Sequence, residues 1–215
     1  MATKIKDPVS GFSHLIGVFL SLAGTIALAL KAQNPVQLAA FLIFGIAATL
    51  LYSASAGYHL LGASSEKIGL ARKFDHAFIY VLIAGTFTPF CLVLINNFWG
   101  IAFFICIWIL AGIGFASTFS PSFWKLLPRW AYTGLYLLMG WFGLLLLYPL
   151  RKHPVAAAFL ILGGIFYSIG AIIYARKKPN PNKTIGFHEL FHFFVLAGTL
   201  THFYCIYQYI ALAIN

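Results

Sequence analysis

Seven long apolar runs, each near the length of a membrane crossing, constrain this sequence more than any other feature. They fall at about residues 12–30, 36–61, 75–95, 99–119, 130–149, 155–175 and 188–211. A helix needs about 20 apolar residues to cross the roughly 30 Å hydrocarbon core of a bilayer, and a helix also satisfies its own backbone where no water is present. The breaks between runs carry turn-forming or charged residues: Asn34-Pro35, Gly62 to Lys73, Asn96-Asn97, Ser120-Pro121, Arg151 to Pro154 and Arg176 to Lys183. The expected architecture is an all-α polytopic membrane protein, a seven-transmembrane helix bundle occupying residues 1–215 as a single domain. Hydrophobic residues make up 61% of the chain and charged residues 8%, against about 25% charged in soluble domains, so no separate soluble domain fits.

Lys4 and Lys6 followed by an apolar stretch and Ala27-Leu28-Ala29 resemble a cleavable leader. The stretch Phe12 to Leu30 is longer than the roughly 7–15 residues of a leader core and contains His14, so a retained first crossing is expected. The net charge of +10 is spread over short segments between the runs. Anionic lipid headgroups, not nucleic acid, are the partner such spacing suits. Positive segments stay cytoplasmic. Eleven Lys and Arg (Lys4, Lys6, Lys67, Arg72, Lys73, Lys125, Arg129, Arg176, Lys177, Lys178, Lys183) fall on one side and three (Lys31, Arg151, Lys152) on the other. The expected topology is N-terminus cytoplasmic and C-terminus outside, in the plasma (inner) membrane. Cys91, Cys106 and Cys205 each lie inside an apolar run without metal-type spacing, and read as core or lipid-facing residues.

Ionisable side chains inside a crossing cost about 2.5–3.5 kcal/mol at the helix centre and usually face the interior with a task. The topology brings five polar residues to one depth near the cytoplasmic face. Ser55 and His59 close the second run, Asp75 opens the third, and His188 and His192 open the seventh. Residues four apart share a helix face, so His188 and His192 suit two positions on one metal and Ser55 pairs with His59. Three neutral imidazoles from two helices supply three positions of a tetrahedral zinc site and leave the fourth for water. Asp75 is then placed to take a proton from that water, and the Ser55 hydroxyl to orient substrate or a developing oxyanion. The bland alternative is polar packing at one end of a bundle.

The segment "HELFH" (His188 to His192) also matches the H-E-x-x-H zincin motif, in which the glutamate is a general base. That reading needs a third ligand further along, yet of the four acidic residues, Asp7, Glu66, Asp75 and Glu189, none follows Glu189. Glu189 has a sufficient structural reason at the first turn of a helix, where the dipole favours negative charge. His202 lies ten residues beyond His192, about 15 Å deeper by helical rise, and cannot join the same metal. His76 points about 100° away from Asp75 around a helix and reads as a supporting or interfacial residue. His14 is placed to support the site, and His153 has no visible role. "AGTFTPF" (Ala84 to Phe90) echoes "AGTLTHF" (Ala197 to Phe203), either a relic of duplication or a shared device for close helix packing.

The motifs S-x-x-x-H at Ser55 and His59, "KFDHAFIYVLIAGTFTPF" from Lys73 to Phe90, and "HELFHFFVLAGTLTHF" from His188 to Phe203 resemble the hemolysin III branch of the progestin and adipoQ receptor family. That family belongs to a wider superfamily of seven-span metal-dependent hydrolases that includes alkaline ceramidases. The resemblance covers nearly the whole chain. It implies a zinc held by His59, His188 and His192 with Asp75 and Ser55 nearby, and makes the glutamate of HELFH incidental. His14 in "SGFSHLIG" resembles a first-span histidine of bacterial members, with Asp7 as the only acidic residue preceding it. The expected function is zinc-dependent hydrolysis of a lipid amide or ester. The other class is a non-enzymatic membrane protein, such as a pore-forming cytolysin, a channel or a membrane-state sensor, with a structural zinc.

Overall fold

The computed structural model describes residues 7–60 and 65–213, including the side chains of all but residues 65 and 66. The expectations for Lys4, Lys6, Leu61 and Asn215 lie outside them. Helix α1 runs Pro8–Lys31, α2 Pro35–Leu60, α3 Ser65–Pro89 with a π-helical extension Phe90–Ile95, and α4 Phe98–Ser117. A short α5 (Pro121–Leu126) leads into α6 (Arg129–Trp141), which continues as 3-10 turns at Phe142–Leu146 and Pro149–Lys152. Helix α7 is Pro154–Arg176, and α8 is Phe187–Cys205 with a π-helical extension Ile206–Ile210. No strand occurs among the described residues.

Punctuation in the sequence sets these boundaries. Pro8, Pro121 and Pro154 stand in the first turns of their helices, where a missing N–H leaves nothing unsatisfied. Between α3 and α4, Asn96 takes a left-handed conformation (φ 36°), which asparagine tolerates better than most residues. Asn97 then caps α4, its Oδ1 accepting from the backbone N–H of Trp99 at 2.9 Å and of Gly100 at 3.3 Å.

Six helices among the described residues are long and apolar enough to cross a membrane. Large apolar side chains such as Phe19, Ile113 and Leu138 stand exposed on the outside, where lipid, not water, is the suitable solvent. The chain is an all-α, multi-pass integral membrane protein. Helix α3 is its central post, with 72% of its spanning stretch buried against 22% for α1 and for α4. Around α3 the core packs Phe41 and Phe44 of α2, Phe103 and Ile107 of α4, Leu146 and Leu150 of the 3-10 turns, and Ile206 and Ile210 beyond α8.

Two runs differ in form from the sequence expectation. Helix α3 begins at Ser65, ten residues before the expected start at 75, because the charged stretch to Lys73, which lies outside the apolar run, is helical. The fifth run, expected to be continuous over 130–149, loses its α-helical bonding after Trp141. Gly143 lies in the 3-10 segment, packed so closely on the Phe87 ring that a Cβ would collide with it. The internal echo has a structural counterpart. Thr86 and Thr199, at matched positions, each bond the carbonyl four residues back, and both helices end in a π-helical extension.

Candidate metal centre

The last turn of α2 supplies His59, and the first turns of α8 supply His188 and His192. His188 Nε2 lies 3.3 Å from His59 Nε2 and 3.1 Å from His192 Nε2. An aromatic ring nitrogen offers one lone pair or one N–H, so hydrogen bonding satisfies at most one of those two contacts. One cation among the three nitrogens satisfies all of them. Two imidazoles bound at about 2.0–2.1 Å with tetrahedral angles sit about 3.4 Å apart, close to the observed spacing. The ligand atoms of the three residues lie within 4.8 Å of one another, the one such group among the described residues. His59 and His192 are buried. The cluster therefore fits a metal ion.

The rings are held from behind. His59 Nδ1 is 3.3 Å from Asp7 Oδ2, a carboxylate contact of the kind that fixes a ligand histidine with its Nε2 lone pair turned to the ion. His14 stacks on His192 with ring centroids 3.8 Å apart and an interplanar angle of 27°, and Tyr52 meets the His14 ring edge-on at 5.0 Å. Sequence reasoning placed His14 near the site without a specific contact, and gave Asp7 no role at the cluster. Neither residue carries a helical spacing to the ligands that could have revealed it.

Glu189 is occupied elsewhere. Its Oε2 accepts from the Gly186 N–H at 2.8 Å and its Oε1 accepts from the Ser10 hydroxyl at 2.9 Å, so it caps α8 and ties that helix to α1. Ser55 and Asp75 line the same cavity as His14, His188 and His192. Asp75 Oδ2 is 3.3 Å from His76 Nδ1, which also lies 3.0 Å from the Arg72 carbonyl. His76 is thus a direct neighbour of the Asp75 carboxylate, and Trp124 and Tyr132 pack edge-on against its ring.

Two spaces meet at the cluster. A narrow cavity of about 130 Å³ is lined by Ser55, Asp75 and His192 together with Leu144, Leu147 and His202. A vestibule of about 750 Å³ opens on the other side, with Asp7, Arg72, Arg129, Lys183 and Glu189 on its walls. His76, Tyr132, Tyr174 and His188 face both. His202 lines the narrow cavity but stands apart from the metal group, and His153 stands at the head of α7. Cys91 and Cys205 are buried, Cys106 is exposed, and all three are free.

Comparison with known proteins adds the lineage. The family described as "Haemolysin-III related" matches residues 2–203. The "Hemolysin-3 homolog" of Bacillus subtilis (strain 168) is 36% identical over 97% of this chain and 96% of its own. "Hemolysin-3" of Bacillus cereus is 34% identical over 98% and 94% respectively. More distant is the "Heptahelical transmembrane protein ADIPOR3" of Oryza sativa subsp. japonica, 31% identical over 70% of this chain and 41% of its own length.

Proposed function

We propose that this chain, which belongs to the haemolysin-III related family, is a zinc-dependent hydrolase acting on a lipid amide or ester. The observation that carries this reading is the position of the three histidines, where a narrow apolar cavity joins a polar, cation-bearing vestibule. A lipid has the same division: its acyl chain suits the cavity and its head the vestibule, which puts the intervening amide or ester at the histidines. Three imidazoles without a thiolate are a donor set that suits zinc and leaves a coordination position open. Zinc there supplies Lewis acidity, polarising a carbonyl and easing the ionisation of water.

The chain's own residues do the rest. Asp75 has one oxygen steadied by His76, which leaves the other to accept the proton of the attacking water and return it to the departing nitrogen or oxygen. The Ser55 hydroxyl, buried at the head of the cavity, donates to the carbonyl oxygen as negative charge builds on it. Arg72, Arg129 and Lys183 meet the polar head of the lipid.

The chain crosses the plasma membrane seven times in this reading. Helix α6 contributes thirteen residues, about 20 Å of rise, and the 3-10 turns after it, at about 2 Å per residue, complete the crossing. The word heptahelical in the Oryza relative's name agrees with this count. The excess of Lys and Arg supports a cytoplasmic position for the vestibule. A reporter enzyme joined after Asn215 should behave as exported; strong cytoplasmic activity would reverse the orientation.

The deciding experiment incubates zinc-loaded wild type and Asp75→Asn with a mixed lipid extract and follows released fatty acids by mass spectrometry. The variant should keep its metal and lose about 10²–10⁴-fold in turnover. Absence of release from ceramides, N-acyl lipids and phospholipids, with fold and metal intact, would replace the hydrolase by a sensor or channel.

A further inference from the structure

His202, one of the residues that line the narrow cavity, has a buried polar atom without a partner. His202 is 3% exposed, and its Nε2 lies 3.3 Å from the Leu160 carbonyl. A carbonyl only accepts, so Nε2 carries the hydrogen and Nδ1 is left with a lone pair. Nδ1 has no hydrogen-bond partner. An acceptor enclosed in apolar surroundings without a donor is costly. The ring is nonetheless seated with care. It lies against Gly163 of α7 so closely that any Cβ there would collide with it, and Tyr167 packs beside it with ring centroids 5.6 Å apart.

Neighbouring polar groups have already spent their hydrogens. Thr86 donates to the Leu82 carbonyl and Ser168 to the Gly164 carbonyl. Thr199 donates to the Val195 carbonyl, so the hydroxyls of Tyr52 and Tyr167, at 2.6 and 2.8 Å from Thr199 Oγ1, both donate to it. None of them supplies a hydrogen to His202. No protein group supplies the missing donor, and His202 lines the cavity.

We infer that His202 Nδ1 is a subsite for a hydroxyl carried in mid-chain by the acyl group of the lipid that enters this cavity. The inference rests on the cavity being an acyl channel, as the proposed function holds. His202 is ten residues from His192 along α8, about 15 Å by helical rise. A saturated chain advances about 1.25 Å per bond, for C–C bonds of about 1.5 Å at tetrahedral angles. A chain whose carbonyl sits at the histidine cluster therefore reaches His202 after about twelve bonds. The subsite selects for a hydroxyl near that position and against one beside the carbonyl.

The test uses the full-length zinc-loaded protein in detergent and three probes that compete with a fluorescent fatty acid. The probes are stearic acid, stearic acid hydroxylated at about carbon 12, and stearic acid hydroxylated beside its carboxyl. The mid-chain hydroxyl should tighten binding about tenfold over plain stearate, the gain expected when a buried acceptor finds its donor, and the hydroxyl beside the carboxyl should not. His202→Phe, which keeps a ring but removes the acceptor, should erase the advantage while still binding stearate. The wild-type comparison of the three probes stands even if that variant does not fold. Equal binding of plain and mid-chain hydroxylated stearate would overturn the subsite and leave Nδ1 as the seat of a trapped water only. If no probe binds, the cavity is not an acyl channel, and the hydrolase reading falls with the subsite.

Discussion

The two ends of the bundle treat their polar residues differently. At the end away from the histidines, the polar groups of the turn between α1 and α2 are matched. Buried Gln37 accepts from the Gln33 N–H at 2.8 Å and donates to the Ala213 carbonyl at 3.1 Å, and its own N–H is capped by Asn34 at 2.9 Å. Gln33 reaches the Ala211 carbonyl at 3.4 Å, and Lys31 both bonds the Tyr207 carbonyl at 3.2 Å and lies over the Tyr207 ring. These contacts tie the turn between α1 and α2 to the final turns beyond α8. At the histidine end, three ring nitrogens crowd one point with more contacts than hydrogen bonds can satisfy, and both nitrogens of buried His14 lack a partner. Saturated polarity holds a fold together, whereas unsaturated polarity is retained for a ligand. The difference points to structure at one end and, in the proposed reading, to chemistry at the other.

Substitutions can break that division. The largest effect belongs to the ligands: His59→Ala, His188→Ala or His192→Ala should take bound metal from one ion per chain to none, measured by elemental analysis of purified protein. Gln37→Leu should leave that value at one, and metal loss in this variant would show that the ends are coupled. Asp7→Asn should weaken metal affinity about 10–100-fold, the usual consequence of removing a carboxylate behind a ligand histidine, as read by chelator competition. An unchanged affinity would reduce Asp7 to a surface contact. Gln37→Leu should instead lower thermal stability, by about 1–2 kcal/mol for the hydrogen bonds lost. The smallest effect is expected for Glu189→Gln, which removes a helix-start charge worth roughly 0.3–1 kcal/mol and keeps the metal. If that variant keeps its zinc but loses all lipid cleavage, Glu189 returns to the reaction as a general base.

Hydropathy made six crossings legible because an apolar run of membrane length has few other ways to fold in lipid. The polar start of α3 escaped because Lys67, Arg72 and Lys73 lower hydropathy without lowering helicity. The break after Trp141 was foreshadowed only by Gly140, Gly143 and Pro149, residues that membrane helices also tolerate intact. His188 and His192 were visible as a pair because four residues make one helical turn. Their meeting with His59 followed from counting which helix ends share a membrane face. Asp7 and Ser10 were silent, since contacts made by the first turn of α1 depend on how that helix packs and leave no period in the sequence. The open acceptor of His202 was equally invisible, because it exists only by virtue of where Leu160 places a carbonyl.

The separation of the ligands along the chain sets a timetable for synthesis. His59 and His188 are 129 residues apart, so at about 5–20 residues per second the ribosome needs on the order of ten seconds after making the first ligand to supply the second. During that interval the nascent protein holds one histidine of the trio and cannot retain the ion. In the proposed reading, metal capture therefore comes after insertion of the last helix, and a chain interrupted before α8 lacks two of the three histidines of the site.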